Sequence, residues 1–239
     1  AVTAAVVLGG PGSGGASGAG GGRPDTAASG SPSVTTSSSA TTSAPSPGED
    51  ASRVTDQLDG ITMPVLAGWQ KARYVTDDAV LITTPGTYDC PYDDGVCRRG
   101  TVAAQPVTST DSTDPATLAR KDVAVAAYRA YDTDVLGERP FGGITSHKVV
   151  SARQVAVAGR VGYLVRWRVR TAHGPGGYVE SVVFRSGVGA EGLVVVRLTL
   201  DASRAAPPPT DLDRIVAGIW PMGATAGSGG VGSSIGPSD

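Results

Sequence analysis

"VGYLVRWRVRTA", residues 161–172, decides the fold. From Val165 onward its apolar residues Val165, Trp167 and Val169 alternate with Arg166, Arg168 and Arg170. A period of two belongs to a strand, whose successive side chains point to opposite faces of a sheet. A helix of 3.6 residues per turn would scatter the same residues around its circumference. The neighbouring stretches "KVVSARQVAVAG" (148–159), "GYVESVVFRS" (177–186) and "LVVVRLTLDA" (193–202) are also strand-like, and short glycine-containing segments join all four. Connections that short link antiparallel neighbours, so this region reads as a four-strand antiparallel meander.

The flanks add helices. Asp114-Pro115 opens one, with Asp as N-cap and Pro in the first turn, where its missing N–H costs nothing. Ala119, Val123, Ala126, Ala127 and Ala130 then form one small-residue face able to lie close to a sheet. A second helix is expected in "TDLDRIVAGI" (210–219), with Thr210 and Asp213 as a capping-box-like pair and Leu212, Ile215, Val216 and Ile219 as its apolar stripe. Upstream, "DGITMPVLAGWQKARY" (59–74) reads as a short strand and a turn that returns Trp69 to the core. "AVLITT" (79–84) and "TVAAQPV" (101–107) read as further strands. The fold class is therefore α+β: an antiparallel sheet ending in a four-strand meander, with helices packed on it.

Pro64, Gly68 and Trp69, followed by the meander and the terminal amphipathic helix, resemble the PsbP-like fold and, among exported actinobacterial proteins, the LpqN-type lipoproteins. The resemblance spans most of 51–219. It implies a non-catalytic binding or accessory protein and transfers no catalytic residue. The sequence departs from the lipoprotein pattern, since no Cys follows the apolar segment "AVTAAVVLGG" at 1–10.

Both cysteines, Cys90 and Cys97, lie in "YDCPYDDGVCRRG" (88–100), around the turn signal Asp93-Asp94-Gly95. Zinc would need His147 and His173 at spacings unlike the usual short ligand pairs. Calcium would need the alternate-residue oxygens and terminal Glu of an EF-hand loop, which Asp89, Asp93 and Asp94 do not provide. Redox chemistry favours C-x-x-C, and here six residues intervene. A structural disulfide requires only an oxidising compartment. The expected assignment is a Cys90–Cys97 bridge, with no metal and no cofactor.

Composition sets the expected boundaries. Residues 9–48 are nearly all Gly, Ser, Ala, Thr and Pro, too poor in apolar surface to offset the entropy of ordering. We therefore expect 1–50 to be the end of a signal or anchor segment plus a disordered linker, 51–220 a single domain, and 221–239 a disordered tail. The organisation suits a protein exported from a high-GC bacterium, either secreted or anchored to the outer face of the cytoplasmic membrane through a segment preceding or including Ala1.

Chemistry-bearing motifs fail in context. "GPGSGG" (10–15) lacks a flanking strand and helix, "GVGAEG" (187–192) joins two strands, and "GSSIG" (232–236) lies in the tail. The expected domain holds 19 basic and 18 acidic residues, a balance that excludes a nucleic-acid binder. Charge is nevertheless polarised, with eight basic and two acidic residues in 143–200 against five and eleven in 77–138. Arg166, Arg168 and Arg170, joined by Arg185 and Arg197 on the next strands, form the candidate binding face. Its expected partner is an anionic envelope polymer, a lipid headgroup or an acidic protein. The alternative is a cell-envelope hydrolase whose carboxylate pair carries no sequence signature.

Overall fold

A computed structural model describes residues 52–73, 80–108, 112–189 and 191–224. The chain opens with the hairpin of β1 (Arg53–Asp56) and β2 (Ile61–Pro64), then the short β3 (Gln70–Lys71) and β4 (Val80–Thr83). A two-stranded ribbon, β5 (Tyr88–Asp89) with β6 (Val96–Cys97), leads into β7 (Gly100–Pro106) and the helix α1 (Pro115–Tyr131). The meander follows as β8 (Ile144–Val157), β9 (Arg160–Thr171), β10 (Gly177–Arg185) and β11 (Leu193–Asp201), and the described chain closes with α2 (Thr210–Ala217) and β12 (Trp220–Pro221).

Seven strands form one sheet in the order β3-β4-β7-β11-β10-β9-β8, with every pairing antiparallel. The four meander strands are neighbours in chain order, as expected. β4 and β7, the two strands flanking the cysteine loop, pair with each other. The β1–β2 hairpin and β12 make a separate three-stranded sheet that the sequence reading did not foresee.

The centre of the large sheet is buried on both sides. On one face Leu164, Val182, Phe184, Val196 and Leu198 pack with Ile61 and Met63 of the small sheet and with Leu212, Ile215, Val216 and Ile219 of α2. On the other, Val165, Val169, Val179, Val183 and Val195 pack with Leu118, Ala119, Val123, Ala126 and Ala127 of α1. Both apolar helix stripes therefore do what their spacing predicted. Trp69 also returns to the core, its indole N–H donating to the buried Asp211 carboxylate at 3.1 Å. Gly100 makes room for it, since a Cβ there would stand 2.8 Å from the Trp69 ring.

The two helix starts differ. Asp114 caps α1, accepting from the Thr117 amide at 2.9 Å. At α2 the expected Thr210–Asp213 box does not form: the N-cap is Pro209, which has no side-chain cap bond. Asp213 instead faces the sheet, where the Arg166 guanidinium outcompetes a backbone amide for its carboxylate.

β12 pairs with β2, and the Met222 amide donates to the Gly60 carbonyl, so regular pairing runs just past 220. The expected linker at 1–50 and most of the expected tail lie outside the described residues.

Cys90 and Cys97 are bonded to each other across the ribbon, with Cα atoms 5.1 Å apart. Closing so short a loop contributes about 2.5 kcal/mol on chain-entropy grounds. The double change Cys90→Ser, Cys97→Ser is expected to lower unfolding free energy by about that amount in a urea titration. A loss below ~1 kcal/mol would show that the ribbon is held by its other bonds instead.

Candidate functional site

The five candidate arginines do not share a face. Antiparallel register puts Arg166 opposite Glu180, and Ser181 opposite Arg197. Adjacent residues of a strand point to opposite sides, so Arg197 and Arg185 belong to the α1 face while Arg166, Arg168 and Arg170 belong to the α2 face. A common ladder is thus ruled out by register, which no single strand's pattern reveals.

Arg166 is not a surface group. It is 8% exposed, beneath α2, and its Nε donates to the Glu180 carboxylate, which is fully buried. Its two terminal nitrogens donate to the Asp213 carboxylate at 2.9 and 3.3 Å. Burial pushes the Glu180 carboxyl up to about 7, against the pull of the Arg166 charge. Arg197 is similarly consumed on the opposite face: Nε and Nη2 donate to Asp122 of α1, at 2.6 Å for the shortest bond, and Ser181 donates to the same carboxylate at 2.6 Å. These groups are clasps between sheet and helix.

Arg168 and Arg170 remain. Arg168 donates to the carbonyls of Pro175 and Gly177 at 3.0 and 3.3 Å and lies over the Tyr178 ring, 5.3 Å from its centroid. Carbonyls satisfy its N–H groups and leave its charge uncompensated. Lys148 of β8 stands directly opposite Arg168, and Arg170 is exposed one step along on the same face. Lys148 and Arg170 have no carboxylate partner among the described residues. The basic strip is therefore Lys148, Arg168 and Arg170, at the end of the sheet that α2 leaves uncovered. Arg185 is exposed on the other face at the end of β10. Lys148 was missed because β8 was read for its period alone; its register against Arg168 is a tertiary fact.

Three further features surround the sheet. Asp201 accepts from the Tyr88 hydroxyl at 2.5 Å and the Tyr131 hydroxyl at 3.1 Å, tying the disulfide ribbon and the end of α1 to β11. Gly177 is required there, because a Cβ would collide with the Tyr131 hydroxyl. Burial, followed by the Asp201 bond, pushes the Tyr88 hydroxyl above its ordinary range. Beside this clamp a cleft of about 280 Å³ opens between α1, β7 and β11, and a second hollow of about 360 Å³ lies beyond the Arg197–Asp122 bridge. Finally, Asp59 in the β1–β2 turn is 1% exposed, and one of its carboxylate oxygens has no hydrogen-bond partner. Desolvation, then the neighbouring Asp56 carboxylate, pushes it up to about 7. Among the described residues no three His, Cys, Asp or Glu side chains are grouped to hold a metal. His147 and His173 are instead stacked on Trp167 and Tyr92, with ring centroids 3.9 and 4.7 Å apart.

No protein-family model matches the sequence, and none of the curated proteins does. Among solved structures the chain is similar to cyanobacterial PsbP (CyanoP) from Synechocystis sp. PCC 6803, with 12% identity over 74% of this chain and 96% of that one and a TM-score of 0.39. It is also similar to a protein of Bacteroides thetaiotaomicron VPI-5482, with 10% identity over 68% of this chain and 45% of that one and a TM-score of 0.31. Likenesses of this size say nothing of what the chain binds.

Two outcomes are expected. Arg166→Gln should cost ~3–5 kcal/mol by leaving Glu180 buried without its cation, whereas Arg170→Gln should stay within ~0.5 kcal/mol, both read by chemical denaturation. Asp59 binds its proton more tightly when folded, so its contribution to stability is complete below its ordinary range near 3.8 and is lost as pH rises through about 7. Asp59→Asn, which mimics the protonated form, should raise the melting temperature at neutral pH and lose that advantage in acid. An equal shift at both pH values would refute the assignment.

Proposed function

We propose that this domain is a non-catalytic binding or accessory module that works outside the cytoplasm, tethered to the membrane by its N-terminal segment, and docks an anionic envelope component. The observation that carries the proposal is the basic strip: Lys148, Arg168 and Arg170 lie side by side on an open part of the sheet, with no carboxylate against them among the described residues. Guanidinium and ammonium groups in a row suit a repeating array of phosphates or carboxylates. The Cys90–Cys97 bridge supports an oxidising compartment. Among the described residues no helix is long and apolar enough to cross a membrane; the apolar run "AVTAAVVLGG" at 1–10 is what supports attachment through the N-terminal segment.

The arrangement of acids favours binding over hydrolysis. A glycosidase places two carboxyl groups across a cleft from each other. Of the acids lining the 280 Å³ cleft, Asp201 has both oxygens bonded to tyrosines, so Asp134, which accepts from the Leu136 and Glu138 amides at 2.9 Å through one oxygen, has no second unbonded carboxyl facing it. Asp56 and Asp59 do approach each other, but with Asp59 buried in a turn they are out of reach of a glycan.

The test is cosedimentation of the chain with phosphatidylglycerol vesicles and, separately, its retention on dextran sulfate. Lys148→Gln with Arg170→Gln should leave the melting temperature unchanged and weaken association on the surface that the chain prefers. Raising salt should do the same, because open charges are screened over ~8 Å at physiological ionic strength. Unchanged binding by the double variant would sink the proposal.

A further inference from the structure

The cleft beside the tyrosine clamp lies on the α1 face of the sheet, opposite the face that carries the basic strip. It exists because α1 lies over β9 and β10 and barely reaches β11, leaving the β7 side of that face without a helix above it. Small residues keep it open: Ala103 on the floor, with Ala126 and Ala130 on the helix wall. The disulfide ribbon closes one end through Cys97. At ~30 Å³ per water the space holds about nine waters, room for one small molecule.

The lining carries a specific set of groups. Thr101 and Thr199 face each other across the floor with hydroxyls 2.7 Å apart. One of their two protons lies between the oxygens, and the other is free for a guest. Arg98 gives one long bond, 3.4 Å, to the Gly86 carbonyl and otherwise offers its guanidinium to the cleft. Asp134 spends a single oxygen on the Leu136 and Glu138 amides, which leaves the other for an external donor. Asp201 accepts one bond on each oxygen from its two tyrosines and contributes its negative charge to the lining.

Both signs of charge therefore stand over an apolar wall. Arg98 and Arg129 put positive charge on the lining and Asp134 and Asp201 negative charge, so a simple amine is opposed by the first pair and a dianion by the second. We infer that the cleft binds a small zwitterion of amino-acid size, its carboxylate held by Arg98 and the Thr101–Thr199 hydroxyls, its ammonium by Asp134 and its apolar part against Ala103, Ala126 and Ala130.

The experiment is an amide-resolved NMR titration of the full chain with leucine and ε-aminocaproate, a short and a long zwitterion. Isocaproate, lacking the ammonium, and isoamylamine, lacking the carboxylate, serve as controls. At least one zwitterion should give saturable shifts at Thr101, Ala103, Ala130 and Thr199 that neither control reproduces. Asp134→Asn keeps the acceptor for both loop amides, so it should preserve the fold while weakening the zwitterion ~10-fold and leaving isocaproate unaffected. Ala130→Leu, which fills a partly exposed position on the wall, should abolish the shifts. If that variant misfolds, the four probes on the native chain and Asp134→Asn still decide. Absence of shifts for both zwitterions at ~50 mM, or equally strong shifts from isocaproate, would overturn the inference.

Discussion

Burial of β10 and β11 on both faces is the constraint from which the rest follows. A strand with one wet face can place charges outward freely, whereas a strand covered on both sides must match each charge it carries with a partner. β10 and β11 carry two such matches, Glu180 with Arg166 on the α2 face and Arg197 with Asp122 on the α1 face. Each links the sheet to a helix, through Asp213 in the first case and Asp122 itself in the second. The helices are thus located by apolar stripes that set their distance and by ion pairs that set their position along the strands. Where neither helix reaches, the sheet stays open, and there lie both the basic strip and the cleft.

Much of this was legible in the sequence. The period of two in the meander, the Asp114-Pro115 start and the stripe of Leu212, Ile215, Val216 and Ile219 are local signals, and the folded chain obeys them because each reflects which side of an element is dry. The cysteine pair was legible for a related reason: six residues with a strong turn leave little geometric choice. The three-stranded sheet was not legible, since its outer strands, Arg53–Asp56 and Trp220–Pro221, are too short to carry a period and come from opposite ends of the domain.

The arginines show where local reading stops. Alternation in β9 correctly separates Arg166, Arg168 and Arg170 from Val165, Trp167 and Val169, but it is silent on what covers each side and on the register of the next strand. Arg197 joined the wrong group because a one-residue difference in register reverses its face. The acids carried an unused signal. Asp122 sits between buried turns of α1, Glu180 lies inside the run "YVESVVF", and Asp213 flanks the α2 stripe, so each stands where a polar residue is costly without a partner.

β8 ends the large sheet with fourteen residues and no neighbour on its outer side among the described residues. Such an edge is a template on which a strand from another molecule can assemble. Here the pairing register with β9 shifts between Ile144 and Ser146 and again between Val149 and Ser151, breaking the hydrogen-bonding rhythm twice. An incoming strand finds short runs, the longest carrying Arg153, in place of one continuous ladder. Crowded side by side on a surface, copies of this domain would meet at their edges without zipping into a shared sheet, so dense display need not end in fibres.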